Sequence, residues 1–178
     1  MVPLLIGQAP GLNTRPDLPL YPVPATMTGG RLAALMGLTP REYLVRFERI
    51  NLLQEYPGRT GRDDKFPMGV ARAAAGAIKP LLSDRVVVLV GRNVANAFGH
   101  DTPFHQWSEP GFCRMLAVVP HPSGRNHWYN DPANRELAQD FWRDVLSRHI
   151  PDTSLLPSVF SRRIQQDSLL RARQELTT

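Results

Sequence analysis

Residues 84–91 read DRVVVLVG. Five consecutive apolar residues, four of them valine, stand between a charged pair and a glycine. A β-branched run with no polar alternation is what a strand covered on both faces requires, and such strands belong to parallel sheets. The neighbouring segments extend the pattern. Val2 to Ile6, Arg49 to Leu53 and Arg114 to Val119 also read as buried strands. Helical patterns fill the intervals: Gly30 to Met36, then Pro40 to Phe47 after Thr39 as N-cap. Pro67 to Leu82 is alanine-rich, and Asn93 to Phe98 ends at Gly99. Asp131 to His149 carries Asp131 as N-cap, Pro132 as first residue, and an apolar stripe of Leu137, Phe141, Trp142 and Val145. Strands alternating with helices predict an α/β protein, a three-layer α/β/α sandwich around a four-stranded, mostly parallel central sheet.

The chain has 178 residues, enough for one domain with a real core. Residues 1–150 make that domain. Residues 151–178 read as a turn-rich connector followed by a basic amphipathic helix. No apolar run is long enough to span a membrane, so no membrane partner is expected. No signal peptide is seen, and Met1 lies close to a core strand. The single Cys113 makes no internal disulfide and no cysteine metal cage, which suits a reducing, intracellular setting. The net charge is +5 and only Lys65 and Lys79 are lysines; the isoelectric point is about 10. Arginine binds phosphate bidentately and stacks on bases, so this balance suits a nucleic-acid partner. It suits a solvated basic surface as well.

Open parallel sheets bind ligands beyond the carboxyl ends of their strands. Here those ends are all polar and marked by glycine or proline. The first gives Gly7-Gln8-Ala9-Pro10-Gly11, the second Asn51 and then QEYPGRTGR, the third Gly91-Arg92-Asn93, and the fourth Pro120-His121-Pro122-Ser123-Gly124. Glycine lets a backbone approach a ligand and proline stiffens the turn. GQAPG is not a nucleotide-type phosphate loop, because no GK[ST] follows. His121 sits between two prolines, and a neutral imidazole held so can donate to a developing anion. Ser123 and the amides of Gly124 and Arg125 can hold a phosphate.

Together these segments resemble the uracil-DNA glycosylase superfamily. Its members carry a first loop written GQDPYH, GEAPG or GINPG and a late loop beginning HPS. GQAPG and PHPSG stand here in that order and at about that separation. RINLLQEYPGR, residues 49 to 59, is similar to the TNVVKCRPPGNR segment of the thermophilic branch, whose asparagine reads the pyrimidine edge. Asn51 takes that place. DRVVVLVGRNVANAFG also resembles the strand–helix unit of that branch. The likeness covers roughly residues 3 to 149. It implies a base-flipping DNA glycosylase in the cytoplasm, acting at the nucleoid on single- or double-stranded DNA and needing no cofactor or metal; a monomer is expected, though the sequence leaves the oligomeric state open.

The chain departs from the family in three places. One cysteine cannot hold the four-cysteine iron–sulfur cluster of the thermophilic branch. Ala9 stands where several branches place an Asp or Asn that orients the attacking water, so Gln8 or a backbone carbonyl would position water instead. The segment LNTRPDLPLYPVPATMTGG does not align, and Tyr21 is the candidate ring to stack on the base. Asn51 would bond the uracil edge and His121 would donate to O2 of the leaving anion. Gly7, Ala9, Pro10 and Tyr21 would complete the base pocket. After HPSG, Arg125, His127 and Trp128 are candidates to wedge into the vacated stack, unless Trp128 and Tyr129 pack under the helix that follows. Arg59 and Arg62 are candidates for phosphate contacts. His100, Asp101 and His105 lack fixed metal spacing and read as a surface loop. Cys113 reads as a small buried side chain, and Asp63 and Asp64 as loop charges. Three functions stay open: cleavage of uracil, cleavage of a modified pyrimidine, and binding of DNA or a flipped base without cleavage.

Overall fold

A computed structural model describes residues 2–60, 63–124 and 126–149. The connector and amphipathic helix expected over 151–178 lie outside the described residues, as do Arg62 and Arg125.

In chain order the strands are β1 (Leu4–Gly7), β2 (Glu48–Asn51), β3 (Arg59–Thr60), β4 (Asp63–Asp64), β5 (Val86–Val90), β6 (Trp107–Ser108) and β7 (Met115–Val119). The helices are α1 (Thr28–Leu35), α2 (Pro40–Arg46), α3 (Met68–Ile78), α4 (Arg92–Ala97) and α5 (Pro132–His149), with 3₁₀ turns at Lys79–Leu82 and His127–Asn130. The central sheet has the order β2-β1-β5-β7-β6. The first four strands in that order are parallel; β6 joins the edge antiparallel to β7, pairing Trp107 with Ala117. The sheet therefore has five strands, not the expected four. The fifth is two residues long, too short to show a period. β3 and β4 form a separate small antiparallel ribbon.

Alternation along the buried strands divides the core into two. Leu4, Ile6, Val87, Leu89, Leu116 and Val118 face α3 and α4, meeting Ala71, Ala75, Val94 and Phe98. Leu5, Val88, Val90, Ala117 and Val119 face α1, α2 and α5, meeting Leu32, Tyr43, Phe47, Phe141, Trp142 and Val145. Helices cover both faces, and β5 is buried along its whole length, as its valine run requires. Leu137, expected in the α5 stripe, is instead 56% exposed, and Ala138 takes the inward position. Helix ends follow local chemistry. Thr39 and Glu42 form a reciprocal capping box at α2. Asp131 Oδ1 accepts from the Ala133 amide at 2.9 Å to start α5. Among the described residues, no helix is long and apolar enough to cross a membrane.

Candidate active site at the carboxyl ends of the strands

The loops after β1, β2, β5 and β7 meet at one end of the sheet. The first is pinned by backbone bonds that continue the β1–β2 pairing: the Leu52 amide donates to Gly7 O and the Leu53 amide to Gln8 O, both at 2.9 Å. Gly7 is buried at the end of β1, and a side chain there would collide with Asn51. A Cβ at Gly7 would stand 2.7 Å from Asn51 Oδ1 and 3.0 Å from the Leu20 side chain. Gly91 plays the same part between the outer loops. Its φ is +106°, and a Cβ on it would lie 3.0 Å from Gln8 Nε2 and 3.2 Å from His121 Cβ. The Gln8 amide and the His121 side chain thus flank one bare backbone position, which only glycine serves.

The His121 loop is held by its carbonyls. Tyr129 Oη donates to Pro120 O at 2.8 Å, and Asn126 Nδ2 donates to His121 O at 2.9 Å. Asn126 Oδ1 also accepts from the Trp128 amide, capping the 3₁₀ turn. None of these bonds consumes the imidazole. At Asn51, likewise, Gln54 Nε2 reaches only the backbone carbonyl. Among the described residues, the side-chain amides of Gln8 and Asn51 and the ring of His121 keep their hydrogen-bonding capacity. Asn51 is also the one buried amide or charged residue there. Its amide opens onto the cleft and is available there to a ligand or water.

The segment that defied alignment forms the opposite wall. Leu20 adopts a left-handed φ of 48°. Its side chain lies over Gly7, while its carbonyl lies where a Cβ on Gly29 would be, 2.0 Å away. The Gly29-Gly30 pair at the start of α1 thus lets the Leu20–Ala25 backbone lie flat against the helix.

The resulting cleft has a volume of about 550 Å³. Gln8, Ala9, Pro10, Tyr21, Asn51, His121 and Ser123 all line it. Tyr56, Asp64 and Lys65, from the ribbon and its approach, line it too. Burial pushes the His121 pKa down to about 4, so its ring is neutral at ordinary pH. A neutral ring carries one N–H donor and one acceptor. Two amides and one neutral imidazole can together read a flat, polar heterocycle and hold a negative charge that forms on it.

Other expected residues fall elsewhere. Arg59 is on the β3–β4 ribbon, exposed, with its Nε 3.5 Å from Asp64 Oδ1. Gly124 is exposed and packs beneath the Arg31 guanidinium, 3.1 Å from its would-be Cβ. Trp128 is packed among Phe104, His105 and Tyr129, with centroids 6.2, 5.0 and 4.9 Å away, and does not line the cleft. His100 shares contacts with Thr102 and Ser108, Asp101 pairs with Arg92, and His105 stacks in the aromatic group, so the three do not converge. Cys113 is buried and its thiol is pushed up to about 11, which keeps it protonated and unreactive.

Four residues gain a role from this geometry: Asn126 and Arg31, which the sequence did not single out, and Tyr129 and Asp64, which it read as a packing ring and a loop charge; Asn126 and Tyr129 fix the His121 loop, Arg31 lies beside it and Asp64 lines the cleft. Only Asn126 had a signal, a capping residue ahead of a short aromatic turn. No family model matches the chain, and no curated protein matches it.

Proposed function

We propose that this protein is a monofunctional DNA glycosylase that hydrolyses the bond between deoxyribose and uracil or a related pyrimidine. One observation carries the reading. Gln8, Asn51 and His121, from three separate strand ends, line a single cleft with their side-chain donors and acceptors uncommitted among the described residues. Glycosidic cleavage of a pyrimidine leaves a sugar cation and a base anion. The protein's part is to take the nucleotide out of the stack and stabilise the anion with preorganised donors. Asn51 bonds the pyrimidine edge, the His121 N–H faces the oxygen where charge accumulates, and Tyr21, exposed at the cleft wall, offers a ring to stack on. The net charge of +5 favours association with the phosphate backbone.

The test is single-turnover incubation with uracil-containing oligonucleotides followed by alkali, which breaks the strand at abasic sites. Wild type is expected to give breakage, and His121→Ala to lower the rate by about 10²–10³-fold. A second reading is favoured by Ala9: with no acid in the first loop, the cleft holds a flipped base without cleaving it. Binding without breakage supports that reading and overturns the first.

A further inference from the structure

The first loop offers no carboxylate to act on water, since Ala9 stands in it. Among the described residues lining the cleft, Asp64 is the sole carboxylate. We infer that Asp64 is a catalytic residue of this site, the base for the water that captures the sugar. The inference rests on the glycosylase reading.

The β3–β4 ribbon is what brings Asp64 to the cleft. Arg59 pairs with Asp64 in antiparallel register, and beyond the ribbon the Lys65 amide donates to Gly58 O at 2.9 Å. The carboxylate is then oriented from one side only. Tyr56 Oη donates to Oδ1 at 2.9 Å, and Arg59 Nε lies 3.5 Å from the same oxygen. Oδ2 has no partner among the described residues. The Asp64 side chain is 61% exposed, so Oδ2 is open to water while Tyr56 and Arg59 hold Oδ1. Its negative charge also favours the cationic sugar.

The step balances simply. The bond between C1′ and the base nitrogen breaks, and both electrons leave with the base, whose charge Asn51 and His121 accommodate. Water oxygen bonds to C1′, and its proton passes to Asp64 Oδ2. Asp64 returns that proton to solvent, and the base anion takes one from solvent. No oxidant, reductant or metal enters.

The experiment compares wild type, Asp64→Asn, Asp64→Ala and His121→Ala on a uracil-containing duplex under single turnover, with and without added formate. Affinity for the duplex is measured in parallel. Asp64→Asn keeps the size and the acceptor for Tyr56, so the fold is expected to hold, checked by its melting temperature. The expected result is a rate loss of roughly 10²-fold or more with affinity little changed. Formate, a small diffusible carboxylate, is expected to restore part of the rate to Asp64→Ala and none to His121→Ala. Near-wild-type rates in both Asp64 variants, with His121→Ala impaired, would overturn the role of Asp64 and leave the glycosylase reading standing. A rate loss in Asp64→Ala that formate does not touch, together with a normal rate in Asp64→Asn, would make Asp64 structural. Release of no base by wild type from any pyrimidine substrate would overturn both.

Discussion

At the scale of single residues, the site depends on positions where a side chain is missing as much as on those where one is present. Gly91 is the clearest case. Its φ of +106° is closed to most residues, and its missing Cβ is the space that lets Gln8 and His121 approach each other. With ψ at 148° as well, Gly91→Ala is expected to destabilise the fold by about 1–3 kcal/mol from backbone strain alone. Its larger effect is expected on base release, which should fall well beyond what the stability loss accounts for. Denaturant unfolding beside single-turnover rates measures both; an unaltered rate would show that the two side chains do not act together. His121 itself needs no unusual partner. Burial lowers its pKa to about 4, and two carbonyl hydrogen bonds keep its ring aimed while leaving both nitrogens unengaged by them. Proline on either side marked that loop in the sequence. Asn126 and Tyr129 were not legible as its supports, because a bond from a side chain to a carbonyl several residues back leaves no periodic trace. Asp64 was read as a loop charge for a similar reason: a two-residue ribbon has too few residues to declare itself.

At the scale of elements, what the sequence revealed was whatever repeats or caps. β1, β5 and β7 announced themselves by apolar runs, whereas β2, read from Arg49 to Leu53, is the half-buried edge segment Glu48–Asn51. The α2 start was marked by Thr39 ahead of Pro40; the reciprocal partner Glu42 came from the structure. Thr39→Ala removes the hydroxyl half of that capping box, leaving the bond from the residue 39 amide to Glu42, and is expected to cost about 1 kcal/mol while base release stays unchanged, since α2 is outside the cleft. A shifted urea midpoint with a constant rate checks it; a lost rate would mean that α2 supports the site through the core. Edge strand β6 and the exposed Leu137 were misjudged, the first for its length. The second was misjudged because four apolar residues at helical spacing do not say which of them sits at the margin of the buried stripe. The 12–27 segment was opaque for another reason. Its path is set by Leu20 in a left-handed conformation and by contact with Gly29 and Gly30, which are tertiary facts with no local pattern behind them.

At the scale of the whole molecule, a sheet buried on both faces positions four loops at one end and closes them with a wall that only folding assembles. Two histidines tie that assembly to pH. His105 and His121 both have pKa values pushed down to about 4 by burial, against 6.5 for an open chain. Above pH 6.5 neither state is protonated at these rings and their full stability is present. As pH falls from 6.5 towards 4, the unfolded chain binds protons that the folded one does not, so stability declines. The urea midpoint is expected to be lower at pH 5 than at pH 7.5, with a smaller drop in His105→Phe; equal drops in both proteins would remove His105 from the account. The order of the fold was therefore legible, and so were the three strand-end side chains that the cleft brings together. The far wall and the carboxylate were not. What all of this supports is a pocket in which Asn51 and His121 act on the same base. The most direct test is the amount of free base, quantified by mass spectrometry, that excess protein liberates from a uracil-containing oligonucleotide. One equivalent from wild type, with initial rates about 10²–10³-fold lower in His121→Ala and markedly lower in Asn51→Ala, is the expected result. An intact oligonucleotide, or release that neither substitution slows, would contradict it.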